Sequence, residues 1–493
     1  MRGALIRRWI EKVEEIEDIE EFVARLDYLE KSANVTLGHN LVPRVPQMLL
    51  IFLESSGGTT PSKLENGALA NYYQYLITEF LLTAGVARDE LSVPLSFAQI
   101  VAHAMFGSGR KFITTEELEV CNDEFNENFV PGGLSARLGI LRKANILVPY
   151  DASSFEWRES YFYYLFLGNY FARNIESIEV KTAIRDMAQH LYVRSNANTL
   201  LFLTHYDRGA IVFGEITEAL NSLFTGEQPL DIAVDTKRFA SMVRGAGTLL
   251  IRSDPLVARQ ERDRQRDTDG QIDEHDGMSD AKREEGAITM LDEVIVLFKS
   301  SEIIGQVLKE QYATVTRNLR EPILSALLSA YLRAVGALIR RIANDKRLLQ
   351  SWLDSRSGDG KTPAERLTEA QQLIASLVQM FVFGFYQKLA DSVASDKTLD
   401  LVKRLRNASE LEAKTLLLAC ELNVQRPIPF ALIDELLRAV DDDPIYKSLV
   451  KNLVQVRVAL FNTKAVEIQR LANIFEISVK GLNAISFVEG QRR

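Results

Sequence analysis

The sequence predicts a mainly α, multi-domain helical protein in which one small domain carries a short β-hairpin. Three observations predict it. Apolar residues recur along almost the whole chain at the three-to-four-residue spacing of a helix face. Only one stretch, residues 146–158, reads as two short strands about a polar turn. The chain has 493 residues with 46% apolar side chains, more than one core needs, so several domains are expected.

The elements follow in order. Phe22, Leu26 and Leu29 fall on one helix face. Pro46 precedes the apolar run Met48 to Leu53 and suits the first turn of a buried helix, where a missing N–H costs little. Residues 55–61 (SSGGTTP) form a loop by composition and mark a first boundary. Helices are expected at about 63–85, 95–106 and 114–127, the last opened by a capping box of Thr114 and Glu117. Pro131, Gly132 and Gly133 make a turn. A basic amphipathic helix follows at 134–144, then strands at 146–150 and 155–158 about Asp151 to Ser154, then an aromatic helix at 161–173. Three helices followed by a hairpin form a winged-helix pattern. Further helices run to about 252. Residues 259–285 are dense in charges of both signs and almost free of apolar side chains, so they are expected to be a disordered linker. Helical patterning resumes at 287. The domains read as 1–56, 57–178, 179–255, a linker at 256–286, and 287–493.

Composition narrows the function. A net charge of −9 lacks the broad positive field that non-specific nucleic-acid binding requires. Cys121 and Cys420 stand far apart without metal-ligand spacing, which argues against a disulfide framework and for a reducing, cytoplasmic setting. No run approaches the ~20 apolar residues of a membrane span, and no signal-peptide pattern follows the N-terminus, so no membrane contact is expected.

Candidate chemistry is thin. Residues 357–362 (SGDGKT) end like a phosphate loop, but Ser355 stands where that motif needs glycine. Thr362, Pro363 and Glu365 read instead as a helix start. The histidines (His39, His103, His190, His205 and His275) form no metal-binding pair. The acidic runs at 14–21 and 441–443 read as solvated faces or helix ends. No catalytic residue and no metal ligand is expected, and the chain is not expected to be an enzyme. If the helix at 134–144 entered a DNA groove, Arg137, Arg142 and Lys143 would reach phosphates. Asp151 and Glu156 on the hairpin would oppose this, so nucleic acid is an unfavoured partner. Exposure of that basic helix would favour DNA; burial against the aromatic helix would not. The aromatic helix itself reads as an interdomain core.

Several segments together resemble the C-terminal portion of bacterial STAND NTPases of the NACHT type. Ala4 to Ile10 (ALIRRWI) looks like the helix after the nucleotide-binding sheet. Leu37 to Leu53 (LGHNLVPRVPQMLLIFL) resembles the proline-led helix of the small helical domain. Phe155 to Ala172 (FEWRESYFYYLFLGNYFA) is similar to the end of the winged-helix domain, and Glu302 to Lys309 (EIIGQVLK) to the helical tail. The resemblance covers residues 1 to about 225 and extends loosely beyond.

The resemblance implies ATP or ADP as the cofactor of the complete architecture. Pro46 matches the adenine-contacting proline. Arg158 stands where the family commonly has a phosphate-sensing histidine, and a guanidinium could grip phosphate bidentately. The family's phosphate loop, magnesium-binding acid and sensors lie N-terminal to the matched region, so the chain is expected to be a truncated product, a gene-model fragment or half of a split system. By itself it would use no cofactor. It would be the regulatory and sensor half of a signalling ATPase, in signal transduction or anti-phage defence. It would pair with a nucleotide-binding domain or subunit in trans, read a protein trigger through its C-terminal helices, and form a homo-oligomer. The alternative is a stand-alone helical adaptor or a winged-helix DNA-binding regulator.

Overall fold

The computed structural model describes residues 2–14, 16–37, 49–50, 53, 68–206, 210–240, 289–313, 315–344, 362–440, 443–461 and 463–476. The fold is mainly helical, with one small three-stranded antiparallel sheet. The loop at 55–61, the charged linker and the glycines of the loop before Thr362 lie outside the described residues.

The N-terminal helices are α1 (Arg2–Trp9), continued by a π-turn at Ile10–Glu14, and α2 (Ile19–Leu37). Phe22, Leu26 and Leu29 are buried, as their spacing predicts. Glu14, in the first acidic run, is held by Arg25 through bonds of 2.7 Å from both Nε and Nη2. Helix α3 (Ala68–Thr83) then leads to α4 (Ser92–Ser108).

Next come β1 (Phe112–Thr114), α5 (Thr115–Asn128), α6 (Leu134–Lys143), β2 (Leu147–Pro149) and β3 (Ser154–Trp157). The third strand, β1, is an addition to the expected hairpin. It is three residues long and runs straight into the Thr114 capping box, so its pattern merges with the helix start. That box forms as expected: Glu117 N–H donates to Thr114 Oγ1 at 3.3 Å, and Thr114 N–H to the Glu117 carboxylate at 2.9 Å. Strand β3 is central. Ile113 pairs with Phe155 on one side and Leu147 with Trp157 on the other, and Ile113, Leu147 and Trp157 are buried.

Helix α6 stops where the chain must turn into β2. Asn145 takes φ 55°, a left-handed conformation asparagine tolerates. The Ile146 N–H then reaches back to Leu141 O at 2.9 Å, closing the helix end.

The aromatic helix α7 (Ser160–Arg173) buries Tyr161, Phe162, Tyr164, Leu165, Phe166, Leu167 and Phe171. It is covered by α4 on one side and by α9 (Arg194–Tyr206) on the other, with α8 (Ile178–Gln189) between α7 and α9 in sequence. A Cβ at Gly168 would stand 3.0 Å from Leu203 N, so α7 and α9 meet backbone to backbone there. This burial is the core role expected of the aromatic helix.

Helix α10 (Ala210–Ser222) and two short turns, α11 (Ile232–Asp235) and α12 (Lys237–Ala240), complete the middle of the chain. The last described stretch contains α13 (Met290–Glu310), α14 (Arg317–Asn344), α15 (Pro363–Val393), α16 (Leu399–Asn407), α17 (Leu411–Leu422), α18 (Phe430–Ala439), α19 (Pro444–Leu460) and α20 (Ala465–Ile474). Helix α15 starts as expected, with Thr362 accepting from the Glu365 N–H and Pro363 in the first turn. Asp443, from the second acidic run, caps α19 by accepting from the Ile445 N–H at 2.8 Å. Arginines bolt the middle to this bundle. Arg333 donates to Leu220 O at 2.8 Å and Leu223 O at 3.1 Å, satisfying the end of α10. Arg340 donates to Asp235 at 2.9 Å.

Against the expectation that no run approaches a membrane span, two of these helices, α14 and residues Ala364–Val393 of α15, are long and apolar enough to cross a membrane by length and composition alone. The most apolar window of α14 is 61% buried, whereas that of α15 is 39% buried, so α15 keeps much of its apolar surface outside the core.

Gly305 marks the tightest crossing. A Cβ there would overlap the Ser392 carbonyl of α15. Backbone cannot yield as a flexible side chain does, so Gly305→Ala is expected to lower stability by about 1–3 kcal/mol. Gly214 in α10 has open space around it, and Gly214→Ala is expected to stabilise by about 0.5–1 kcal/mol. Urea denaturation of the two variants beside the parent checks the contrast, and equal effects would refute the crossing.

Candidate functional site

The strongest concentration of sequence-predicted features is the sheet, α6 and the start of α7. Arg158 follows β3. Its N–H donates to Ile146 O at 3.1 Å, extending the pairing of the hairpin. The side chain is 53% exposed, and its Nε stands 4.0 Å from the Glu159 carboxylate. Burial raises the Glu159 carboxyl above its ordinary range, against a smaller downward pull from Arg158. Arg158 is therefore a cation on a fixed backbone with a loosely held head, free in geometry to meet an anion. Pro46, the other predicted binding residue, lies outside the described residues.

The three basic residues of α6 do not act alike. Arg137 is buried, so it is not placed to reach phosphates as the unfavoured DNA alternative would need. Its Nη1 donates to Asn122, to Asn126 at 2.8 Å and to Gly132 O at 3.2 Å, and its Nη2 donates to Val130 O. The guanidinium lies 4.4 Å from the Phe125 ring centroid. It organises the turn before its own helix. A Cβ at Gly132 would stand 3.0 Å from its Nη2, so a side chain there would press on the guanidinium. Sequence reasoning missed the arrangement because Asn122 and Asn126 lie on the preceding helix. Their one-turn spacing was the available signal. Arg142 and Lys143 are exposed, with Arg142 5.7 Å from the Phe155 ring centroid. The main contacts of α6 are with α4, α5 and β2, so it is neither a free basic helix nor one laid against the aromatic helix.

The outer side of the sheet carries aromatic rings. Phe112 stacks on Tyr150 with centroids 4.8 Å apart, and Arg110 lies 5.1 Å from Phe112. Asp151 is exposed and folded back on its turn, accepting from the Ser153 N–H at 2.9 Å. Hydrogen bonds from that turn hold its carboxyl below the usual range.

Other titratable groups sit in the core or at its edge. Burial pushes both the Cys121 and Cys420 thiols up to about 12, so neither offers a thiolate at neutral pH. Burial also lowers the basicity of His103, which stacks on Tyr170 at 4.0 Å. His190 Nδ1 is 3.2 Å from Asp186. His205 is brought down by burial to about 4, and its Nδ1 faces Gln311 Nε2 at 3.2 Å. Gln311 also reaches Thr204 O at 3.2 Å, tying α9 to the end of α13. Among the described residues no group of three His, Cys, Asp or Glu is placed to hold a metal ion.

No protein-family model, curated protein or solved structure matches the chain.

Two measurements test this account. Arg137→Ala leaves two asparagines and two carbonyls without their shared donor and is expected to cost about 3 kcal/mol in urea denaturation. Arg142→Ala should cost under about 0.5 kcal/mol. Equal costs would contradict the anchoring role.

His205 stays neutral in the folded chain down to about pH 4, whereas unfolded it takes a proton near 6.5. The unfolded state therefore binds more protons between those values, and stability falls as pH drops through that window. Between pH 7 and 5 the His205 contribution is about 2 kcal/mol. Denaturation of His205→Gln at both pH values should show a slope smaller by that amount. An unchanged slope would place His205 in water.

Proposed function

We propose that the chain is the regulatory and sensor half of a STAND-type signalling ATPase. In this reading it works in the cytoplasm with a nucleotide-binding domain or subunit supplied in trans. The carrying observation is the element order α4–β1–α5–α6–β2–β3, the order of a winged helix, leading directly into a buried aromatic helix with Arg158 exposed at the junction. An isolated DNA reader has no need to sink the helix after its wing into a larger body. A domain that transmits a rotation does, because α7 couples the sheet to α9 and the helices beyond.

In this reading Arg158 faces the phosphates of a nucleotide held by the other subunit, and Pro46 meets its base. A guanidinium suits that task because it stays charged and can offer two parallel donors. The C-terminal helices receive a protein trigger. Nucleotide and trigger then bias a two-state arrangement of the domains.

A second reading, a winged-helix regulator of DNA, draws on exposed Arg142 and Lys143. It is weakened by the loss of Arg137 to the protein interior and by Asp151 on the turn.

Calorimetry of the purified chain with ATP and ADP separates the outcomes. No heat of binding is expected from the chain alone, because its Gly-Lys-Thr stretch has Ser355 in place of the first glycine. Micromolar binding would mean a complete nucleotide site within this chain and would overturn the split arrangement. Salt-dependent retardation of duplex DNA that Arg142→Ala and Lys143→Ala abolish would instead support the DNA reading.

A further inference from the structure

We propose that α15 is a self-association surface on which two copies of the chain pair antiparallel. The proposal does not rest on the functional reading above.

Residues 370–387 of α15 carry no charged side chain, yet Leu373, Met380 and Phe381 are exposed, Met380 by 57%. A helix face turned to water ordinarily carries charges. Here the charges stand at the two ends instead. Arg366 and Glu369 precede the apolar stretch, and Lys388 and Asp391 follow it.

The positions 366, 369, 373, 377, 380, 384, 388 and 391 step by three or four residues and so form one stripe along the helix. The stripe is symmetric about the point midway between Val378 and Gln379. A twofold axis there places Glu369 beside Lys388 of the second copy and Arg366 beside its Asp391. The same axis places Leu373 on Gly384 and Leu377 on Met380. One register thus sets opposite charges side by side and brings the apolar residues together, as an isologous interface requires.

The shapes agree with that register. Gly384 is exposed, and a Cβ built on it would meet nothing within 4 Å. It leaves a notch opposite the exposed Leu373. Phe381 falls across from Ser376, a small exposed residue. The central spacing of four, three and four residues through 373, 377, 380 and 384 is that of a coiled-coil seam. Lys388 also reaches Glu302 of α13, and Asp391 accepts from Asn423 at 2.7 Å, so the charged end of the stripe is positioned by its own chain. An anionic lipid surface is a poorer occupant, since the chain has a net charge of −9 and the exposed stretch contributes no cation.

Sedimentation equilibrium of the full chain across roughly 1 to 100 µM tests the proposal. A monomer–dimer equilibrium is expected. Met380→Glu sits at an exposed position, so the fold should survive, and its dissociation constant should rise roughly tenfold or more. Glu369→Lys should weaken the dimer as well, with helical ellipticity recorded for each variant. Three results would overturn the proposal: a monomer throughout the range, a dimer that Met380→Glu leaves intact, or a monomer that floats with phosphatidylcholine vesicles.

Discussion

Helix α7 has almost no face for water, and the rest of the structure is arranged around that constraint. Seven of its apolar and aromatic side chains are buried. Covering them takes a helix on each side, α4 and α9, and the cover on the α9 side is possible only because Gly168 lets two backbones touch. The sheet is tied to the same helix through Trp157, whose ring lies 5.4 Å from Phe166. Each aromatic of this size removes a large apolar area from water, so displacing any one of the three covers would expose more than a small domain can spare. The hairpin, α4 and α9 therefore share one core with α7.

The sequence made much of this legible. Local rules read well: the Thr114 and Thr362 caps, the hairpin at 146–158, and the identity of the aromatic helix as core all rest on neighbours within a few residues. The expected starts and ends of the helices from 92 to 173 fall close to those observed. What escaped depends on residues distant in sequence or brought together only by folding. Strand β1 is recognisable only beside Ser154 to Glu156, which supply its hydrogen bonds. The role of Arg137 depends on two asparagines of the preceding helix. The link between His205 and Gln311 joins residues more than a hundred positions apart. Of the two residues the resemblance marked, only Arg158 can be placed, and its value lies in its exposure, which periodicity does not reveal.

Three arginines serve as internal fasteners. Arg137, Arg333 and Arg340 each point several donors at carbonyl or carboxylate oxygens that would otherwise be left at helix ends or turns. A planar guanidinium suits this work because its donors fan out from one rigid group. Cations committed in this way no longer contribute to a surface field. This sharpens the contrast with Arg158, Arg142 and Lys143, whose heads remain outside.

The two buried cysteines have a practical corollary. Neither Cys121 nor Cys420 presents a thiolate to solvent at neutral pH, because burial holds the proton on each sulfur. Maleimide dyes or spin labels added to the native chain should find almost nothing to react with. A single cysteine placed on the surface would then carry the whole signal. The protein is thus already a silent background for distance measurements between its helices, with no native residue to remove first.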